Sequence, residues 1–257
     1  ECDLVALSVL VPAATTRLLL KDSAAEPVLA ATLLPMAWPA LHRADDQLMV
    51  GLQVTGGSGD PSRDIAAALL EAQELPAGSP VLSVGRPGPG PRLQDILNTS
   101  VELDIEVHAG FDYWLEGAAG DVTEDMTAAL GRANEQVVPT ARLASVEAAY
   151  WCRIGTKEHL RWVLPESEDD LLNAFAKLAA DNQLGLGPGT KYIGCFRSHG
   201  LLAAVWDLAP GDEADDIEEA ASAFREKLDI ALADSSPFSA EARRQRTGIV
   251  SRQVTLR

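Results

Sequence analysis

AAYWCRIGTKEHLRWVLPESEDDLLNAFAKLAADN, residues 148–182, decides the fold. Ala148–Ile154 and His159–Leu164 are short runs rich in aromatic and branched side chains. Gly155-Thr156-Lys157-Glu158 joins them as a hairpin turn. Ser167 is placed as a helix N-cap, and Asp170 three residues later is an acidic variant of the capping box. Leu171, Leu172, Phe175, Leu178 and Ala179 then recur at helical spacing and make one apolar stripe. Asn182 and Gly185 end the helix. The stretch is a hairpin followed by an amphipathic helix.

The same grammar extends outward. Lys191–Arg197 and Leu201–Leu208 form a hairpin, tight at Ser198-His199-Gly200. A helix starts near Asp212 and buries Ile217, Ala221, Phe224 and Leu228. Upstream, Thr123 caps a helix through about Gln136. Val101–His108 alternates Val101, Leu103, Ile105 and Val107 with Glu102, Asp104, Glu106 and His108, the period of a strand with one wet face. Ala109-Gly110 turns the chain and Phe111–Glu116 returns. Nearer the start, Asp3 caps a helix over Leu4–Val11, stopped by Pro12. Strands follow at Thr15–Leu20, Val28–Leu34 and Leu48–Val54, with Met36–His42 a weaker edge candidate because of Pro35 and Pro39. Asp60-Pro61 opens a helix through Glu74. Val81–Val84 is a short strand, and Gly85–Pro91 (GRPGPGP) is a loop.

This is a run of four hairpin-then-helix units, at about 28–74, 101–136, 148–182 and 190–233. LMVGLQVTGGSGDPSRDIAAALLEA (48–72) and LLAAVWDLAPGDEADDIEEAASAFRE (201–226) each give a strand, a Gly-containing loop, an Asp-Ile pair and an Ala-rich helix. The expectation is an α+β fold of two similar halves, with antiparallel hairpins alternating with helices and the helices on one face of the sheets. The halves are drawn at 1–118 and 119–234, a possible duplication, with a basic tail at 235–257.

The 257 residues carry a net charge of −17, with 47 % hydrophobic and 23 % charged side chains. That is an ordinary globular balance, and a chain this long buries a core without metal or disulfide. Residues 1–118 and 119–234 carry net −10 and −11, and the tail +4. An acidic body disfavours nucleic acid. The tail, with Arg243, Arg244, Arg246, Arg252 and Arg257, reads as a solvated terminus. Cys2, Cys152 and Cys195 form no close pairs and fit a reducing, cytoplasmic setting. No apolar run is long enough for a membrane helix.

ECDLVALSVLVPAATTRL (1–18) with LPMAWPALHRADDQLMVGLQV (34–54) resembles an uncharacterised actinobacterial protein family, some of whose members carry a translocase-like label. The excess of arginine over lysine, 16 to 5, fits a GC-rich genome. The order helix–hairpin–helix–hairpin–helix over 123–233 resembles the type III secretion chaperone-like fold. That resemblance implies binding to segments of other proteins and frequent dimerisation.

No chemical motif is complete. Gly56-Gly57-Ser58-Gly59-Asp60 precedes a helix, but no lysine follows the last glycine as a P-loop requires. Gly57-Ser58-Gly59 lacks the spacing of a nucleophile elbow. Gly187-Pro188-Gly189-Thr190-Lys191 leads into a strand. His42, His108, His159 and His199 are scattered, so no metal or other cofactor is expected. Glu102, Asp104 and Glu106 read as a solvated sheet face, with a cation or a basic peptide as the sharper alternative.

The aromatics are more suggestive. Trp114, Trp162 and Trp206 each fall in the second strand of a hairpin. Tyr150 and Trp151 are adjacent in one strand, so they face opposite ways and one of them is expected at a surface or interface. The sequence therefore reads as a non-catalytic module that binds a protein partner or itself, with Trp151, Trp114, Trp162, Trp206, Arg86 and Arg92 as candidate contacts. The alternative is an enzyme with a small-molecule pocket between the halves, lined by the loop 85–92 and by His108, His159 and His199.

Overall fold

Helix α1 (Cys2–Val9) opens the chain, and strands β1 (Ala14–Leu18) and β2 (Val28–Ala31) follow as an antiparallel pair. The computed structural model describes residues 1–21, 27–53, 57–116, 123–251 and 254–255. Val54, Gly56, Arg252 and Arg257 of the readings above lie outside them. The chain divides into two units, one of residues 11–137 and one of residues 1–10 with 138–257. The boundary drawn from the sequence after residue 118 falls within the first of these.

In residues 11–137, β3 (Ala40–His42) and β4 (Leu48–Gly51) add to the sheet, β4 running parallel to β2. Helix α2 (Pro61–Glu74) starts where Asp60 accepts a hydrogen bond from the Arg63 amide, with Pro61 at its first position. It buries Ala66, Leu69 and Ala72. Strand β5 (Ser79–Val81), the short helix α3 (Leu93–Ile96), β6 (Ile105–Val107) and helix α4 (Glu124–Asn134) complete the unit. The strand order is β5-β3-β4-β2-β1-β6.

Two expectations need correction here. The alternating stretch 101–108 is a strand only over 105–107. Beyond Leu18 the edge of β1 is already taken: Leu20 bridges Leu97, and the Asn98 amide donates to the Leu19 carbonyl. In the β1–β6 register residues 101 and 102 would fall opposite Leu20 and Leu19, which are taken, so the strand does not extend back to 101, and Glu102, Asp104 and Glu106 do not share one strand. Nor does Phe111–Glu116 return as a strand. Asp112–Trp114 is a turn of 3-10 helix, held because the Tyr113 hydroxyl and the Trp114 indole both donate to the Leu33 carbonyl, each at 2.9 Å. Trp114 is thus not in a hairpin.

The unit of residues 1–10 and 138–257 follows its sequence closely. β7 (Thr140–Arg142), β8 (Ala149–Ile154) and β9 (Lys157–Leu164) precede helix α5 (Glu168–Ala180). The Ser167 hydroxyl accepts from the Asp170 amide, as the capping residues foretold. β10 (Lys191–Ser198), β11 (Leu201–Asp207) and helices α6 (Ala214–Ala233) and α7 (Ala240–Val250) follow, and β12 (Val254–Thr255) pairs with β10. The order β12-β10-β11-β9-β8-β7 is antiparallel except at β12. The molecule is an α+β protein of two mostly antiparallel sheets.

The core of this unit lies between α5, α6 and one sheet face. Phe175 from α5 and Phe224 from α6 meet Trp162, Tyr192 and Trp206 from the strands. The basic tail does not run free through the solvent. Residues 240–250 form α7, which packs on α5, buries Ala242 and Ile249, and sends Arg246 to Asn173 and Asp169. An apolar residue at each end of one turned face, plus the acidic start of α5, holds it there.

The two stretches aligned as a repeat, 48–72 and 201–226, begin with β4 and β11, each third in its sheet order. Their neighbours run in opposite senses, however. β4 is parallel to β2, whereas β11 is antiparallel to β9, because α5 crosses over and brings β10 in parallel to β9.

Candidate functional site

The second face of the sheet β7–β12 carries the site. Alternation along β8 turns Ala149, Trp151 and Arg153 one way and Tyr150, Cys152 and Ile154 the other. Trp151 is buried against the helices, and Tyr150 is buried at 1 % exposure on the opposite face. Both neighbours are inside, which the sequence reading excluded. The reason is that this sheet is covered on both sides at that point. Helix α1 lies against β9, and its Asp3 carboxylate receives the Tyr150 hydroxyl at 2.7 Å and the Arg142 guanidinium at 3.1 and 3.3 Å.

Helix α1 is only two turns long, so it covers only part of the face. Where it stops, a cleft of about 250 Å3 opens, walled by Val9 and Leu10 from α1 and by Ile154, Ile193, Phe196 and Val205 from the strands. Ile154 is 42 % exposed and Ile193 37 % exposed. His159 and Arg161, two apart on β9, also line it.

The register aligns three chemically able residues across this face. Cys152 on β8 is paired with His159 on β9, which is paired with Asp207 on β11. His159 Nδ1 lies 2.9 Å from Asp207 Oδ1, and Lys157 Nζ lies 3.9 Å from Oδ2. The order thiol, imidazole, carboxylate is that of a nucleophilic site. The electrostatics oppose that use. Burial pushes the Cys152 thiol up, and the positive charge of Arg161 only partly counters it. A catalytic thiol needs the reverse, a depressed pKa and access to substrate. Cys195 is likewise raised by burial.

Arg161 stands apart from this row. Its cross-strand neighbours are Tyr150 and Val205, and Tyr150 is already engaged by Asp3. Among the described residues, Arg161 has no ion pair within 4.0 Å and no hydrogen bond.

The residues singled out from sequence are placed elsewhere. Trp162 and Trp206 are fully buried, and the Trp206 indole donates to the Leu184 carbonyl at 2.8 Å. Trp151 is 4 % exposed, donates to the Asp212 carbonyl and carries the Arg153 guanidinium over its ring at 5.1 Å. Trp114 stacks on Phe111 at 4.6 Å. Trp151, Trp162 and Trp206 are part of the core packed under α5 and α6.

Arg92 caps α3 and pairs with Asp60 at 2.6 Å, while Arg86 is exposed. The loop 85–92 is pinned by Arg63, which donates to the Gly88 and Pro91 carbonyls. A Cβ on Gly90 would sit 2.5 Å from the Arg63 guanidinium, so a side chain there would displace that group. His108 bonds Thr15 Oγ1 at 2.8 Å, and His199 lies 3.2 Å from Ser198 Oγ. Of the histidines, His159 alone lines the cleft. Arg161 and Ile193 escaped the sequence reading. The alternation of β9 marked Arg161 as wet-face, but nothing local marked that face as half-covered by a helix from the chain's start.

Among the described residues no group of three or more His, Cys, Asp or Glu is placed to hold a metal ion, and no helix is long and apolar enough to cross a membrane. The chain belongs to the family of unknown function DUF5926, whose model matches residues 1–257. No curated protein and no solved structure matches it.

Proposed function

We propose that this member of the family is a non-catalytic binding module, and that a segment of a partner protein docks in the cleft beside α1. The observation that carries the reading is the apolar side chains Ile154 and Ile193, left more than one-third exposed on a sheet whose other face packs a core against α5 and α6. Contiguous exposed apolar surface on a soluble domain marks an interaction site. The cleft holds about 250 Å3, below the roughly 300–1,000 Å3 of ordinary small-molecule sites. One or two side chains fill such a space.

A photo-crosslinking residue at position 193 tests the docking. It is expected to trap a discrete partner, and Ile154→Glu is expected to abolish the trapping. The same group at Leu82, an exposed residue outside the cleft, is expected to trap nothing. Equal trapping from 193 and 82, or trapping untouched by Ile154→Glu, would remove the reading.

A second reading, an enzyme built on the row Cys152, His159 and Asp207, differs from the pocket expected from the sequence. It makes its own demand, rapid alkylation of Cys152 near neutral pH. We expect the opposite order. Cys2, part-exposed, reacts first with iodoacetamide, and buried Cys152 and Cys195 lag behind it. Peptide mass spectrometry over a time course reads the order. Fast labelling of Cys152 would favour the enzyme.

A further inference from the structure

We infer that the cleft selects an anionic apolar segment: an aliphatic side chain seated against Ile154, Ile193 and Phe196, with an adjacent carboxylate paired to Arg161. This rests on the docking reading above and adds the chemistry of the partner.

The argument begins with the arginines. Eight of those described are ion-paired to carboxylates. Arg63 and Arg243 donate to backbone carbonyls. Among the described residues, four have no ion pair or hydrogen bond. Arg17, Arg86 and Arg132 are exposed, and water satisfies them. Arg161 is part-buried and lines an apolar cleft. Holding a cation where it is partly desolvated and unpaired is unfavourable. In a chain of net charge −17, carboxylates are abundant, yet none reaches it. Asp207, the acidic group on the same face, is directed to His159 and Lys157. Asp3 is directed to Arg142 and Tyr150.

An incoming carboxylate therefore finds a guanidinium with its fork of donors open. The apolar side chains that line the same cleft supply the other half of the recognition. Charge also limits the alternatives. An anionic membrane offers many charges to a single free arginine and repels the acidic body. A second copy brings another −17.

The test uses the full chain and a displayed library of octapeptides that mixes Leu, Ile, Val and Phe with equal shares of Asp, Glu, Asn, Gln, Lys and Arg. The expected result is enrichment of an aliphatic residue beside Asp or Glu. For one enriched sequence made synthetically, changing Glu to Gln is expected to weaken binding about tenfold, the worth of one charge-assisted hydrogen bond. Arg161→Gln is expected to erase that difference, Arg161→Lys to keep most of it, and Arg161→Glu to turn the preference toward Lys and Arg. Melting temperatures of the variants report whether they fold.

Apolar enrichment with no preference for acid would overturn the anionic inference and leave the docking reading standing. No enrichment at all, with Ile193→Glu behaving as the parent chain, would overturn both. Sedimentation showing a dimer that Arg161→Glu dissolves would replace the foreign segment with a second copy, and a membrane would replace it if the chain bound vesicles of phosphatidylserine with phosphatidylcholine but enriched no peptide.

Discussion

Trp206→Ala is expected to lower the stability of the protein by about 3–5 kcal/mol, the range for removing a buried tryptophan from a packed core. Trp206 is 0 % exposed. Its ring lies 5.2 Å from Phe224, 5.5 Å from Tyr192 and 6.3 Å from both Trp162 and Phe175. Each of those rings comes from a different strand or helix, so the cavity cannot close by shifting one element. The indole also satisfies the Leu184 carbonyl in the loop after α5, which the alanine variant leaves unpaired. Trp206→Phe keeps most of the packing and loses the bond, and its expected cost is smaller, about 1–3 kcal/mol. Urea unfolding of the full chain followed by far-UV circular dichroism measures both. A cost below about 1 kcal/mol for the alanine variant would mean that this core is not packed as described.

The second large effect is at Asp3. Asp3→Ala is expected to cost about 2–3 kcal/mol and to loosen α1 from the sheet. One carboxylate there holds the Tyr150 hydroxyl and both a side and an end nitrogen of Arg142. Removing it leaves a hydroxyl on a nearly inaccessible tyrosine and a cation without a partner. Asp3 also stands in the first turn of α1, where a negative charge is favoured by the helix dipole. Asp3→Asn keeps an acceptor for Tyr150 and is expected to lose less. Proteolysis within residues 1–10 should accelerate in the alanine variant.

The same contact has a pH signature. Burial, and then the charge of Asp3, pushes the Tyr150 hydroxyl above its ordinary value of 10.0. A folded-state pKa above the unfolded one means that the contribution is whole below about pH 10 and is lost as pH rises beyond it. The alkaline fall in melting temperature should therefore be shallower in Tyr150→Phe than in the parent chain, measured between pH 8 and pH 11. Identical slopes would show that Tyr150 ionises as freely in the folded protein as in the unfolded one.

Both substitutions act on residues whose partners are distant in the chain, and that is where legibility from sequence changes. Helix α5 was readable in full, because Ser167, Asp170 and the Leu171–Leu178 stripe interact within a turn or two of one another. The hairpin β8–β9 was readable for the same reason, through alternation and a glycine at φ +62° in the turn. The strand 101–108 was misread over half its length although its pattern is cleaner. The pairing of its first two residues depended on Leu19 and Leu20, which are already bonded to Asn98 and Leu97.

The cleft lies at the far end of that scale. Arg161 looks ordinary in EHLRWVL, one wet-face residue among several. It becomes distinctive only because α1 stops at Val9, because Asp207 faces His159 and because Asp3 serves Arg142 and Tyr150. None of those facts has a local signature.

Charge balance, caps, turns and the two periodicities are set by neighbours within about four positions, so the amino-acid order alone determined an α+β protein of hairpins and covering helices. Which edge each strand could still bond, which face α1 would reach and which cation would be left unpaired depend on groups brought together only after the chain had packed. Those were decided by the tertiary structure, since steric exclusion and competition for a limited set of donors and acceptors act on the assembled whole.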